Sequence, residues 1–245
     1  MTVPHRRRKY SDRSAVARQI VRVERSNERF AARKGGLKES AHRIFDEGQE
    51  IEGSPGEAIL LQAGIVPPYP PALRYAPRKL GEHSIIAAFT PLRRPQSVAA
   101  VVRAGIGDLG GSVGHEWRDD AHGGGVLLGE IGPQIIVAER LDSALLASRA
   151  ARLPAVATIE AKRLACLELP GVVRSIFVAQ DLQPSPESAD AAFTLARRVA
   201  VFGVSVSLLT PPIGAATWRE FGLRSRRRWH RARARRLLAG EAAHV

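Results

Sequence analysis

The sequence predicts an α/β protein: a parallel sheet with flanking helices, preceded by a helical lead-in and a small β-rich segment. Three observations carry that expectation. From Gln134 onward, short apolar runs alternate with helix-patterned runs over short connections, the pattern of successive β-α-β units. The first of those runs, Ile135-Ile136-Val137-Ala138, is wholly apolar, as a strand covered on both faces must be. That run and a later one, Val173 to Ala179, each lead into an acid, Glu139 and Asp181, ahead of a helix.

Taken in order, residues 1–38 form a basic arm and helix. Arg6, Arg7 and Arg8 open it. Val16, Ile20 and Val23 then recur near helical spacing over 14–34, with arginines on the other faces, until Gly35-Gly36 stops the helix. Residues 39–132 are the lead-in. A helix fits Glu39 to Glu47, and Ser54-Pro55-Gly56-Glu57 reads as a capping box that opens another, closed by Gly64. Pro67-Pro68-Tyr69-Pro70-Pro71 predicts an extended link.

From Ser84 to Gly129 the pattern is β-rich, with strands expected at Ile85 to Phe89 and Val98 to Val102. The string Gly105-Ile106-Gly107-Asp108-Leu109-Gly110 has the dinucleotide-binding spacing, but the glycines and Ser112 after it make a poor helix start. A hairpin turn is expected instead. The loop with His115, Glu116, Asp119, Asp120 and His122 is expected to be solvated.

The α/β domain is expected over 133–223. Its strands are Ile135 to Ala138, Ala155 to Thr158, Val173 to Ala179 and Val204 to Leu209. Its helices are Asp142 to Ala151, Glu160 to Leu167 and Glu187 to Val201. Acids at the C-terminal ends of parallel strands stand where open α/β sheets place ligands. The same acids suit the N-termini of the helices that follow, so the pattern alone supports a site and a capping use equally. Residues 224–245 read as a basic tail. In it Arg226, Arg227, Arg228, Arg231 and Arg233 surround Trp229, a combination suited to phosphate contacts and base stacking, and with Arg6, Arg7, Arg8 and Arg140 they are the expected nucleic-acid contacts.

The formal charge of +13 points to a polyanionic partner, and nucleic acid suits it better than an anionic membrane surface. One cysteine, Cys166, excludes a disulfide framework and a cysteine-rich zinc site. No run is long enough to span a bilayer, and the basic start lacks the apolar core of a signal peptide, so a cytoplasmic protein with no membrane partner is expected.

At Glu139-Arg140-Leu141-Asp142, Asp181-Leu182-Gln183 and Thr217-Trp218-Arg219-Glu220-Phe221, the chain resembles the Toprim domain of phage- and plasmid-type DNA primases. Residues 41–78 resemble the segment that precedes Toprim there. The resemblance implies a Toprim-like Rossmannoid sheet and nucleotidyl transfer in DNA replication, conjugation or phage functions. Glu139 would act as acid or base, supported by Asp142. Asp181 would hold Mg²⁺ with help from Glu220. The implied partners are single- or double-stranded DNA and a replicative helicase or other plasmid or phage replication protein.

The motifs depart from the family where the chemistry would occur. Gln183 stands where a second acid is expected, and Arg140 replaces a glycine and brings a fixed cation beside Glu139. The expectation is therefore of a nucleic-acid-binding protein with degenerate Mg²⁺ ligation, in which Arg140 supplies part of the ion's charge. An active primase using Glu139 and Asp181 is the alternative, and a non-catalytic basic accessory protein is another.

Overall fold

The computed structural model describes residues 41–77, 83–95, 97–104 and 122–242, with the backbone alone over 233–242. The basic arm, the helix expected over 14–34, the Gly105 to Gly110 turn and the loop from His115 to Asp120 lie outside these residues.

The named elements, in chain order, are α1 (Pro55–Gln62), β1 (Leu73–Ala76), β2 (Ser84–Pro91), β3 (Ala100–Ala104), β4 (Gly124–Leu128), β5 (Gln134–Ala138) and α2 (Leu141–Ala151). There follow β6 (Ala155–Ala157), α3 (Ala161–Ala165), β7 (Ser175–Ala179), α4 (Pro186–Ala200), β8 (Ser205–Leu209) and α5 (Trp218–Ala242). Residues 41–46 are also helical. The strands form one eight-stranded mixed sheet of order β1-β2-β4-β6-β5-β7-β8, with β3 pairing β2.

Strands β6, β5, β7 and β8 run parallel, while β1 to β4 are antiparallel to their partners. Because Val126, Leu127 and Leu128 of β4 pair with β6, the β-rich segment is continuous with the parallel strands. Among the described residues, no helix is long and apolar enough to cross a membrane.

Strand β5 is buried on both faces, which explains its unbroken apolar run. Successive side chains on a strand point to opposite faces. Ile136 and Ala138 accordingly join a core that includes α2, Leu60 of α1 and Trp218. Ile135 and Val137 join the opposite core with Leu164 of α3 and Leu195 and Val199 of α4. A third cluster packs Ala41 and Phe45 on Ile86 and Ala88 of β2.

Local signals set the helix starts. Ser54 Oγ accepts the Gly56 N–H at 3.1 Å, and the Glu57 carboxylate accepts the Gly53 N–H at 2.9 Å. The capping box thus closes one residue earlier on each side than its ideal form. Ser185 caps α4 through Ser188 N–H at 3.2 Å, with proline next. The proline link is not fully extended, since Leu73 N–H bonds Pro70 O at 3.0 Å and makes a turn.

The long helix α5 is the main departure from expectation. The basic tail is the body of a helix that begins at Trp218. Its first turns cross the end of α1 so closely that Gly64 has no room for a side chain. Gly64 has φ +83°, and a Cβ there would lie 2.2 Å from the Gly222 carbonyl carbon. A Cβ on Gly222 would lie 2.8 Å from Leu146 of α2.

Candidate functional site

The strand order creates a switch point. The chain leaves β5, crosses through α2 to β6 on one side, and returns through α3 to β7 on the other. Strand order therefore reverses between β5 and β7, and open α/β sheets bind ligands outside the carboxyl ends of such a pair. Ala138 pairs with Ala179. Beyond that pair the chain continues as Glu139-Arg140 on one side and Gln180-Asp181 on the other, and the Arg140 guanidinium feels the charges of both Asp181 and Glu139. The structure thus brings Glu139, Arg140 and Asp181 together at this edge, and all three are half-buried.

Asp142 is not available as a supporting acid in the form expected. Its side chain is 3% exposed. Arg140 grips it twice, Nε to Oδ1 at 3.0 Å and Nη2 to Oδ2 at 2.7 Å. Oδ1 also accepts the Ser143 N–H at 2.8 Å, at the start of α2. A buried carboxylate must be paired, and a bidentate guanidinium satisfies both oxygens at once. Burial opposes the Arg140 charge, but the Asp142 hydrogen bonds and the charges of Asp142, Asp181 and Glu139 outweigh it. The guanidinium is held above the ordinary arginine range.

Asp181 and Glu220 both serve the start of α5. Asp181 Oδ1 accepts the Trp218 N–H at 2.8 Å, and Leu182 N–H bonds Ala216 O at 3.0 Å. Thr217 Oγ1 accepts the Glu220 N–H at 3.1 Å while the Glu220 carboxylate reaches back to the Ala216 N–H at 2.8 Å. It also accepts from Arg224. The Ala216 hydrogen bond is the largest influence; with the Arg224 charge and hydrogen bond it outweighs desolvation and holds the Glu220 carboxyl below the usual glutamate value. Gln183, the neutral replacement, is exposed.

These donors do not fit Mg²⁺. The ion needs a near-octahedral shell supplied by carboxylates, water and phosphate. Asp142 is closed off by Arg140, and Asp181 and Glu220 accept backbone N–H groups. Among the described residues, no group of three or more His, Cys, Asp or Glu side chains could hold a metal. Glu139 remains at the edge, beside a fixed cation.

Two features of this edge were not anticipated from sequence. Ile159 has φ +71° at the end of β6, a strained conformation for a β-branched residue and one associated with functional sites. Beside it, Glu160 pairs with Lys162 at 3.2 Å and Arg163 at 3.4 Å. No sequence signal pointed to Ile159. The two tyrosines among the described residues lie elsewhere: Tyr75 is on β1, at the far end of the strand order. Tyr69 lines a cleft of about 330 Å³ with Glu50, Glu52 and Arg74. Burial, then the Glu57 charge, pushes its hydroxyl above the usual tyrosine range.

The arginines expected to contact nucleic acid divide into two sets. Arg140 is committed to Asp142. Arg226 donates to Leu61 O at 2.8 Å and fastens α5 to α1. Arg227, Arg228 and Arg231 are exposed. Trp229 is half-buried and meets His230 edge-on at 5.0 Å between ring centroids. Arg233 lies on α5 with its side chain outside the described residues, as do Arg6, Arg7 and Arg8 entirely. His122, from the expected polar loop, is exposed.

No family model matches the chain, and no curated protein matches it. Among solved structures it is similar to a DNA primase domain from Pseudomonas aeruginosa, at 18% identity and a TM-score of 0.38. The match covers 64% of this chain and 51% of that one, so it spans about half the length of that domain.

Proposed function

We propose that the chain is a Toprim-like protein of the DNA primase type that binds nucleic acid and has lost metal-dependent nucleotidyl transfer. It serves DNA replication, conjugation or phage functions as a basic docking protein. The observation that carries this reading is the use to which the acids are put. Asp181 and Glu220 build the first turn of the helix that presents Arg227, Arg228 and Arg231. Acids expected to hold an ion instead hold a basic helix in place.

The ancestry rests on the motif residues Glu139, Asp181 and Glu220, which follow β5, follow β7 and open α5. The binding role rests on the charge of +13 and on exposed guanidinium groups, which suit phosphate. A second reading, an active primase working through Glu139 and Asp181, is favoured by the place of both residues at the strand-order reversal.

Fluorescence anisotropy of labelled DNA in EDTA and in Mg²⁺, run beside primer synthesis on a single-stranded template, separates the two. The proposal expects equal affinity in both buffers, and no ribonucleotide product from the wild type or from Glu139→Gln. Product that forms in Mg²⁺ and vanishes in the variant would establish the second reading.

A further inference from the structure

The two sides of α5 differ in a way that selects among nucleic acids. At about 100° per residue, Arg224, Arg227, Arg228 and Arg231 fall within an arc of about 100°. Arg226 and Trp229 each lie about 150° from the middle of that arc, by the same helical geometry. The contacts agree with the wheel. Arg226 reaches Leu61 O, and Gly222, on the same side, sits against α1 and α2. Arg227, Arg228 and Arg231 face solvent. Arg224, half-exposed, shares their side and its ion pair with Glu220.

Proteins that hold single strands combine a basic groove with aromatic rings on which unpaired bases stack. Here the basic surface is a convex helix, and Trp229 is turned toward the docked side and engaged with His230. The exposed phenylalanines, Phe193 and Phe202, belong to α4 and to the turn after it. Among the described residues, the arginine face therefore offers charge without a stacking surface. It spans about 10 Å at 1.5 Å per residue, which suits a short row of backbone phosphates. A duplex presents phosphates outward and hides its bases.

We infer that the arginine face of α5 takes the phosphate backbone of double-stranded nucleic acid, without base stacking and without sequence preference. This deepens, and rests on, the nucleic-acid-binding reading above.

The test compares anisotropy titrations of a labelled random-sequence duplex and its separated strand at one salt concentration, using wild type and Trp229→Leu. Leucine fills space but has no ring face. The inference expects the duplex to bind about tenfold tighter, with both affinities changed less than about twofold in the variant. Tighter binding of the single strand, or loss of about fivefold or more of single-strand affinity in Trp229→Leu, would overturn the inference and leave the binding role standing. Failure of the wild type to bind either form would overturn both. Circular dichroism of the variant, matched to wild type, keeps the comparison to folded protein.

Discussion

Arg140 and Asp142 form a two-bond ion pair at the carboxyl edge of the sheet, with the acid buried and the guanidinium reaching it from the residue that precedes α2. The contact occupies both carboxylate oxygens of Asp142, the acid expected to support Glu139. A buried pair contributes little net stability against an apolar equivalent, yet breaking it on one side is costly. Arg140→Ala should therefore lower stability by about 3 kcal/mol, the low end for such pairs because the Arg140 side chain is 38% exposed. Arg140→Ala with Asp142→Leu should recover much of that loss. Urea denaturation of the two variants measures it, and equal destabilisation of both would show that the acid does not need its cation.

The crossing of α1 and α5 depends on Gly64. Alanine there meets both a left-handed backbone and the Gly222 carbonyl carbon at 2.2 Å. Strain of about 1–2 kcal/mol from the backbone adds to about 1–3 kcal/mol from overpacking. Gly64→Ala should lower the thermal midpoint and weaken DNA binding by displacing α5. A variant with wild-type melting would mean that the helices do not touch there.

Glu220 gives a pH signature. Its carboxyl is held below the ordinary glutamate value, first by the Ala216 N–H and then by Arg224. A group whose pKa is depressed by folding stabilises the fold above its unfolded pKa, and that contribution is lost as pH falls through the folded pKa. The stability gap between wild type and Glu220→Gln should be constant near neutrality and should shrink as pH drops below about 4.3. Thermal melting across pH 3 to 7 reads the gap directly. A gap that widens on acidification contradicts the assignment.

Much of the sheet was legible because the apolar runs obey strand and helix periods closely. Strand β5 was expected within one residue of its start, since burial on both faces leaves a pattern in the chain itself; β8, also within one residue, is partly to fully exposed and was marked by its alternation of Val and Ser. Strands β1 and β4 were not named. Leu73 to Ala76 was hidden behind the proline link, and Gly124-Gly125 disguised a strand whose glycines let Thr90 O and Val156 approach closely.

The site was legible in its residues and not in their use. Nothing in Glu139-Arg140-Leu141-Asp142 says that the arginine folds back onto the buried acid, because that depends on three-dimensional burial. The helical nature of the basic tail had a readable signal. Thr217-x-x-Glu220 is a capping-box spacing, realised here with the carboxylate on Ala216 N–H instead of Thr217 N–H.

In the proposed function, exposed arginines on α5, and not an ion at the sheet edge, bind nucleic acid. This binding role is tested most directly by the salt dependence of duplex binding for wild type and for the Arg227→Gln, Arg228→Gln, Arg231→Gln triple variant, with and without Mg²⁺. Each lost phosphate contact should reduce the slope of log K against log salt by about 0.9, so the variant should fall short by about 3, equally in both buffers. An unchanged slope, or wild-type affinity that collapses when Mg²⁺ is removed, would contradict the account.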